Sequence, residues 1–193
     1  MALPFALFFT GQSIAIPGTS LTQADATHWV LDTTSTVAPD YHQLQEVAIF
    51  LTQPNSLPPD MGLALYVSIG GADWSYRGYV SNSHPSDVLP LSWPEPDAST
   101  QQQLAGLAAL PPGFAQVGVS VEPLAELAQK EGSKLGAKED FVKAVAYNLF
   151  AFMQSFGAVQ ALGGDKLLNQ WFEKTMDRLR RDPDFLTRRK DAI

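Results

Sequence analysis

The 193-residue sequence contains no cysteine and only three histidines. The absence of cysteine excludes disulfides, thiolate zinc sites and a cysteine nucleophile. His28, His42 and His84 do not have the spacing of a metal-binding motif, and there is no P-loop, G-x-G-x-x-G stretch or nucleophile elbow. We therefore expect no metal, no cofactor and no enzymatic activity.

Basic residues are scarce in the first two thirds of the chain. Two basic and eleven acidic residues precede Glu131, a net charge of −9, whereas the remainder carries eleven basic and nine acidic residues. The whole chain has a net charge of −7, which argues against nucleic-acid binding. The two parts of the chain should therefore present different surfaces to partners.

Long apolar runs are also missing. No run reaches the ~20 apolar residues that a membrane span requires. The N-terminal apolar run stops at Thr10, is interrupted by Pro4 and has no basic residue before it, so we expect a first core strand rather than a signal peptide. An intracellular protein without membrane insertion is the expectation.

Short apolar or alternating segments, separated by joints rich in proline and glycine, predict strands through residue 122. Gly70-Gly71 favours a hairpin connection between two of them. The pattern predicts an α+β, mainly β chain with an antiparallel sandwich, jelly-roll or barrel over residues 1–122. The predicted strands are residues 5–10, 28–31, 47–51, 63–69, 75–80, 88–93 and 114–121.

Residues 94–113 form a long loop with little strand signal. Loops of this length within compact domains are usually functional or disordered. We expect this loop to contribute to a binding site.

After Glu122 the apolar pattern changes to that of helices. Residues 123–138 predict a short helix and a charged linker, and residues 139–193 predict an antiparallel helical pair with a basic tail. Two helices alone cannot bury such an aromatic stripe, and each exposed large side chain forgoes roughly 1.5–3 kcal/mol. Packing on the strands is one alternative, but the charged linker favours pairing with a second copy. The predicted dimer interface comprises Phe141, Val145, Leu149, Phe152, Phe156, Trp171 and Phe172.

Four motifs follow one another along nearly the whole chain. They are residues 59–62; residues 78–82 with 84–86; residues 115–122 with Leu124; and a C-terminal pattern at 148–150, 155–156, 168, 171–173, 178–179 and 182–183. The second is similar to G-F-V-T-N-x-x-P-S and the third to A-Q-I-G-I-S-V-E-x-L, which are patterns of the Hikeshi family. The chain as a whole resembles that family.

This resemblance implies a homodimer with a β-rich N-terminal domain and a helical C-terminal domain that dimerises. It implies a nuclear import carrier that binds the ATP form of seventy-kilodalton heat-shock chaperones under heat stress, without importins, and shuttles between cytoplasm and nucleus. It also implies an apolar pocket for the Phe-Gly repeats of nucleoporins. Animal members carry a phenylalanine in the long loop, where this chain has Leu104, so repeat binding would use Leu104, Leu107 or Phe114.

Two other functions are compatible with the residues. One is a dimeric β-sandwich adaptor with a different protein partner. The other is a metal-dependent jelly-roll enzyme, against which the lack of paired histidines weighs.

Overall fold

The computed structural model describes residues 5–71, 73–96, 98–104, 107, 110–155 and 164–182. Among them, the strands are β1 Phe5–Phe9, β2 Ile16–Pro17, β3 Thr22–Gln23, β4 His28–Asp32, β5 Glu46–Leu51, β6 Met61–Ile69, β7 Ser75–Ser81, β8 Ser86–Pro90 and β9 Ala115–Pro123. The α-helices in these residues are α1 Thr33–Thr36, α2 Ala98–Leu104, α3 Leu124–Ser155 and α4 Gly164–Arg181. Within the described residues, one sheet has the order β2-β1-β5-β8 and the other β3-β4-β9-β6-β7, with all pairs antiparallel.

The core of the sandwich lies between the two sheets. Because side chains alternate across a strand, Phe5, Leu7 and Phe9 of β1 all point into it. The ring of Phe5 meets Trp29 of β4 edge-on at a centroid distance of 6.2 Å, and β9 contributes Val119. Both sheets therefore bury their apolar faces against each other.

The connection between β6 and β7 needs glycine at two positions. Gly70 has a φ of 60° and Gly71 a φ of 75°, which glycine adopts without the strain that a side chain would add. A Cβ on Gly70 would also lie 2.9 Å from Cγ2 of Thr100, so α2 approaches the hairpin closely. The predicted hairpin is confirmed.

The predicted sandwich is confirmed, and each segment predicted as a strand overlaps an observed one. The prediction was wrong for the end of residues 88–93, because β8 stops at Pro90, which lacks the N–H of a ladder, and Ser92 turns the chain with a φ of 37°. The sequence did not predict β2, β3, α1 or α2, and α2 lies within residues 94–113, which were predicted to be a loop. Two-residue strands have no readable period, and α2 has the weakly patterned sequence ASTQQQL.

Helix α3 is continuous where the sequence predicted a short helix and a charged linker over residues 123–138. The linker prediction is therefore wrong. Gly132 and Gly136 suggested it, and each costs a helix roughly 1 kcal/mol relative to alanine. Packing offsets this cost, because Leu127 is fully buried and Leu135 packs against the apolar cluster shared with α4.

The chain divides into two compact units, Met1–Gln129 and Lys130–Ile193. In the second unit α3 and α4 run antiparallel, since Nε of Arg180 near the end of α4 donates to Oε1 of Glu139 in α3 at 2.9 Å. The buried residues shared by these two helices are Val142, Met176 and Leu179.

Candidate functional site

An aromatic cluster lies beside the start of β9, where α2 approaches. We define it as Tyr41, Ile69, Trp93, Leu104, Leu110, Phe114 and Ala115. The ring centroid of Tyr41 lies 5.5 Å from that of Trp93 and 5.8 Å from that of Phe114, distances typical of interacting aromatic pairs. Burial, with the nearby Asp40 carboxylate, raises the pKa of Tyr41, so its hydroxyl stays neutral.

Two sets of hydrogen bonds hold Trp93 in this cluster. Its Nε1 donates to the carbonyl oxygen of Leu44 at 2.8 Å. Arg77, the only basic residue in the first 129 positions, donates from Nε to the carbonyl oxygen of Leu91 at 2.5 Å and from Nη2 to that of Ser92 at 2.8 Å. Burial lowers the pKa of Arg77, and its guanidinium fixes the backbone that leads into Trp93.

The three residues predicted to bind repeats lie in different environments. Leu104 is partly buried against the aromatic cluster, and Phe114 is only 4% exposed within it. Leu107 is 55% exposed, and its N–H donates to the carbonyl oxygen of Leu104 at 3.1 Å. A ligand can therefore reach Leu107 directly, whereas Phe114 is buried within the aromatic cluster.

Sequence reasoning missed Tyr41 and Trp93. Trp93 was assigned to a predicted strand, and Tyr41 belonged to no predicted element. Both stand beside turn-forming residues, since Tyr41 follows Asp40 and Trp93 precedes Pro94. The side chain of Asp40 caps the turn that carries Tyr41 by accepting the N–H of His42 at 3.0 Å. The position of each aromatic residue beside a turn-forming residue was the only sequence feature that could have indicated Tyr41 and Trp93.

A second candidate surface lies on the helical unit. We call it the exposed seam: Phe141, Val145 and Leu149 of α3, and Trp171 of α4. Spacings of four place the first three on one face of α3. Phe141 is 67% exposed and Trp171 43%, which is unusual for apolar side chains of this size.

The exposed seam does not include the other three residues of the predicted dimer interface. Phe172 is partly buried against Val142, Met176 and Leu179, so it helps to hold the helical pair together. The side chain of Phe152 and the whole of Phe156 lie outside the described residues.

Packing accounts for several residues of the four motifs. A Cβ on Gly78 would lie 2.5 Å from Cδ2 of Leu89, and a Cβ on Gly62 would lie 2.7 Å from a side chain of α3. Nδ2 of Asn82 donates to the carbonyl oxygen of Leu57 at 2.7 Å, and its Oδ1 accepts the N–H of the same residue at 3.2 Å. These positions therefore hold strands and loops together.

Among the described residues, no group of three or more histidine, aspartate or glutamate side chains is placed to hold a metal ion. In the same part of the chain, none of the helices combines the length and apolar character of a membrane span.

Comparison with known proteins identifies relatives along most of the chain. A family model described as "Hikeshi-like, N-terminal domain" matches residues 10–137. "Protein Hikeshi" from Danio rerio is 29% identical over 185 residues, covering 86% of this chain and 94% of that protein. The proteins of the same name from Xenopus tropicalis and Homo sapiens are both 26% identical, over 186 and 168 residues; they cover 86% and 76% of this chain and 94% and 85% of their own lengths.

Proposed function

Since this chain belongs to the Hikeshi family, we propose that it is a non-enzymatic carrier that takes the ATP form of seventy-kilodalton heat-shock chaperones into the nucleus under heat stress. It acts without importins by binding the Phe-Gly repeats of nucleoporins, and it shuttles between cytoplasm and nucleus. The observation that carries this proposal is the match of the family's N-terminal domain to residues 10–137.

Repeat binding takes place beside the aromatic cluster. Leu107 offers an exposed apolar side chain, and Leu104 is partly buried on a base that includes Tyr41 and Phe114. Burying one phenylalanine ring contributes roughly 2–3 kcal/mol. Ordering the repeat peptide consumes part of that, so a single contact has a Kd of about a millimolar or weaker. Weak contacts suit a carrier, because each repeat must be released quickly.

The exposed seam is where a second copy binds. Phe141, Val145, Leu149 and Trp171 are each more than 40% exposed, and each large side chain gains roughly 1.5–3 kcal/mol on burial. A two-fold dimer brings the same patch from both copies together and so covers both at once. Two repeat sites per dimer raise avidity without any new contact.

The carrier function is tested by titrating the purified protein with a seventy-kilodalton heat-shock chaperone from the same source, with ATP and with ADP. We expect clearly tighter binding with ATP in isothermal calorimetry. A Leu107→Ser variant serves as the matched control, because it should bind the chaperone unchanged while losing affinity for repeats. Equal binding in both nucleotide states, or none by folded protein, would reject the carrier function in favour of an adaptor with another partner.

A further inference from the structure

A groove of about 350 Å³ lies on the outer face of the five-stranded sheet, over β4, β9 and β6. Val119 of β9 points into the sandwich core, so its neighbours Gly118 and Ser120 point to the opposite face and form the floor of the groove. Tyr66 and Trp74 line its sides. We call this feature the outer groove.

Glycine at position 118 shapes the outer groove. A Cβ there would lie 2.8 Å from Cζ3 of Trp74, so the indole can rest against β9 only because residue 118 has no side chain. Trp74 is nevertheless 44% exposed. The groove therefore has an aromatic wall that is packed on one side and open to a ligand on the other.

A carboxylate is held in a fixed position at one end of the outer groove. The hydroxyl of Tyr66 donates to Oε1 of Glu122 at 2.6 Å, and the hydroxyl of Ser120 donates to the same oxygen at 2.5 Å. Ser120 is only 1% exposed. Two hydroxyl donors on one oxygen hold the side chain of Glu122 in one orientation at the groove.

A second carboxylate, that of Asp25, lies on the rim. Its Oδ1 accepts the N–H of Thr27 at 2.8 Å and contacts Nδ1 of His28 at 2.8 Å. These contacts, that of Thr27 first, lower the pKa of Asp25 to about 2. The rim therefore carries a negative charge at physiological pH.

From this arrangement we infer that the outer groove binds an arginine side chain from an extended segment of a partner protein. A guanidinium stacks on the indole of Trp74 and pairs with carboxylates, while its methylene stem packs along the apolar part of the lining, which includes Val30. The net charge of −9 before Glu131 favours the approach of a cationic segment. A phenylalanine would instead desolvate two carboxylates and bring them no opposite charge.

The inference does not rest on the proposed carrier function. The outer groove uses β9 from Gly118 onward, whereas the aromatic cluster uses Phe114 and Ala115 before it. Arginine binding can therefore be tested and can fail without affecting repeat binding or chaperone binding, and the reverse is also true.

The test is a titration of the full-length protein, followed by NMR of its tryptophan indole N–H signals. The probe is the peptide acetyl-Gly-Arg-Gly-amide, and the control peptide replaces arginine by citrulline, its neutral isostere. We expect the Trp74 signal to shift and saturate with a Kd of about 1–10 mM, while the signal of Trp93 stays in place. The citrulline peptide should bind about tenfold more weakly, because it lacks the charge.

Two variants complete the test. Asp25→Asn should weaken arginine binding without unfolding the protein, because the residue is exposed and asparagine suits the same turn. Gly118→Ala should move the Trp74 ring and abolish the shift. The inference is overturned if the Trp74 signal does not move, if citrulline binds equally well, or if acetyl-Gly-Phe-Gly-amide binds more tightly than the arginine peptide.

Discussion

Gly70 and Arg77 position the aromatic cluster from two sides. The N–H of Gly70 donates to the carbonyl oxygen of Phe114 at 2.7 Å, and its missing side chain leaves room for Thr100 of α2. Arg77 holds the backbone before Trp93. The sequence did not predict either contact, because each joins residues far apart in the chain. Only the positive φ of Gly70 was predictable, because two adjacent glycines favour a hairpin turn.

A single substitution at Leu107 tests where Phe-Gly repeats bind. Leu107→Ser should weaken retention on a column of Phe-Gly repeats by about fivefold, because it removes an apolar contact that a repeat phenylalanine covers. The free energy of unfolding should stay within about 0.5 kcal/mol of the wild type, since the side chain is exposed.

Val88→Ser is the matched control, because Val88 of β8 is exposed to a similar extent, 52% against 55%. It should leave retention unchanged. If Leu107→Ser is retained as strongly as the wild type, repeats bind somewhere other than beside the aromatic cluster.

Among the elements, β9 and α3 show what sequence patterns can and cannot predict. Alternation along residues 114–121 puts Val117 and Val119 on one face of the predicted strand, and both lie in the core, because the strand itself imposes a period of two. Gly132 and Gly136 misled the prediction for α3, because local propensity is weak and burial of Leu127 and Leu135 overrides it. Patterns imposed by one element are therefore predictable, whereas contacts between elements are not.

Substitutions in the α3 part of the exposed seam test whether this surface forms the dimer interface. The double substitution Phe141→Asp and Val145→Asp should convert a dimer into a monomer, because it places two charges in each half of an apolar interface. Multi-angle light scattering should then give half the wild-type mass, with helix content unchanged by circular dichroism.

Tyr147→Asp adds a charge to an exposed position of the same helix. It lies two residues from both Val145 and Leu149 and so on a different face, and the substitution should leave the mass unchanged. If the double variant keeps the mass of a dimer, the exposed seam is not the dimer interface. The same conclusion follows if the wild-type protein is itself monomeric.

The whole molecule combines an acidic sandwich with a helical unit of nearly balanced charge. Residue counts gave this division of charge, and short apolar and alternating segments predicted the mainly β character of the first part. The aromatic cluster and the outer groove could not be predicted in this way. Each assembles side chains from three or more separated segments.

A chain truncated after Gln129 tests the contribution of pairing to repeat binding. It should stay folded, because residues 1–129 form a compact unit with their own core, and it should be monomeric. Retention on a dense repeat column should fall by about a hundredfold, since avidity from two sites is lost. Retention equal to that of the full chain would mean that pairing does not contribute.

The hydrogen bonds of Arg77 also determine where trypsin can cleave the folded protein. Trypsin cleaves after lysine and arginine, and the other twelve such residues begin only at Lys130. Arg77 lies within β7, with its guanidinium bonded to the carbonyl oxygens of Tyr76, Leu91 and Ser92. The enzyme cannot take this side chain into its specificity pocket unless the strand unfolds first. Brief digestion of the native protein therefore releases the sandwich in one piece.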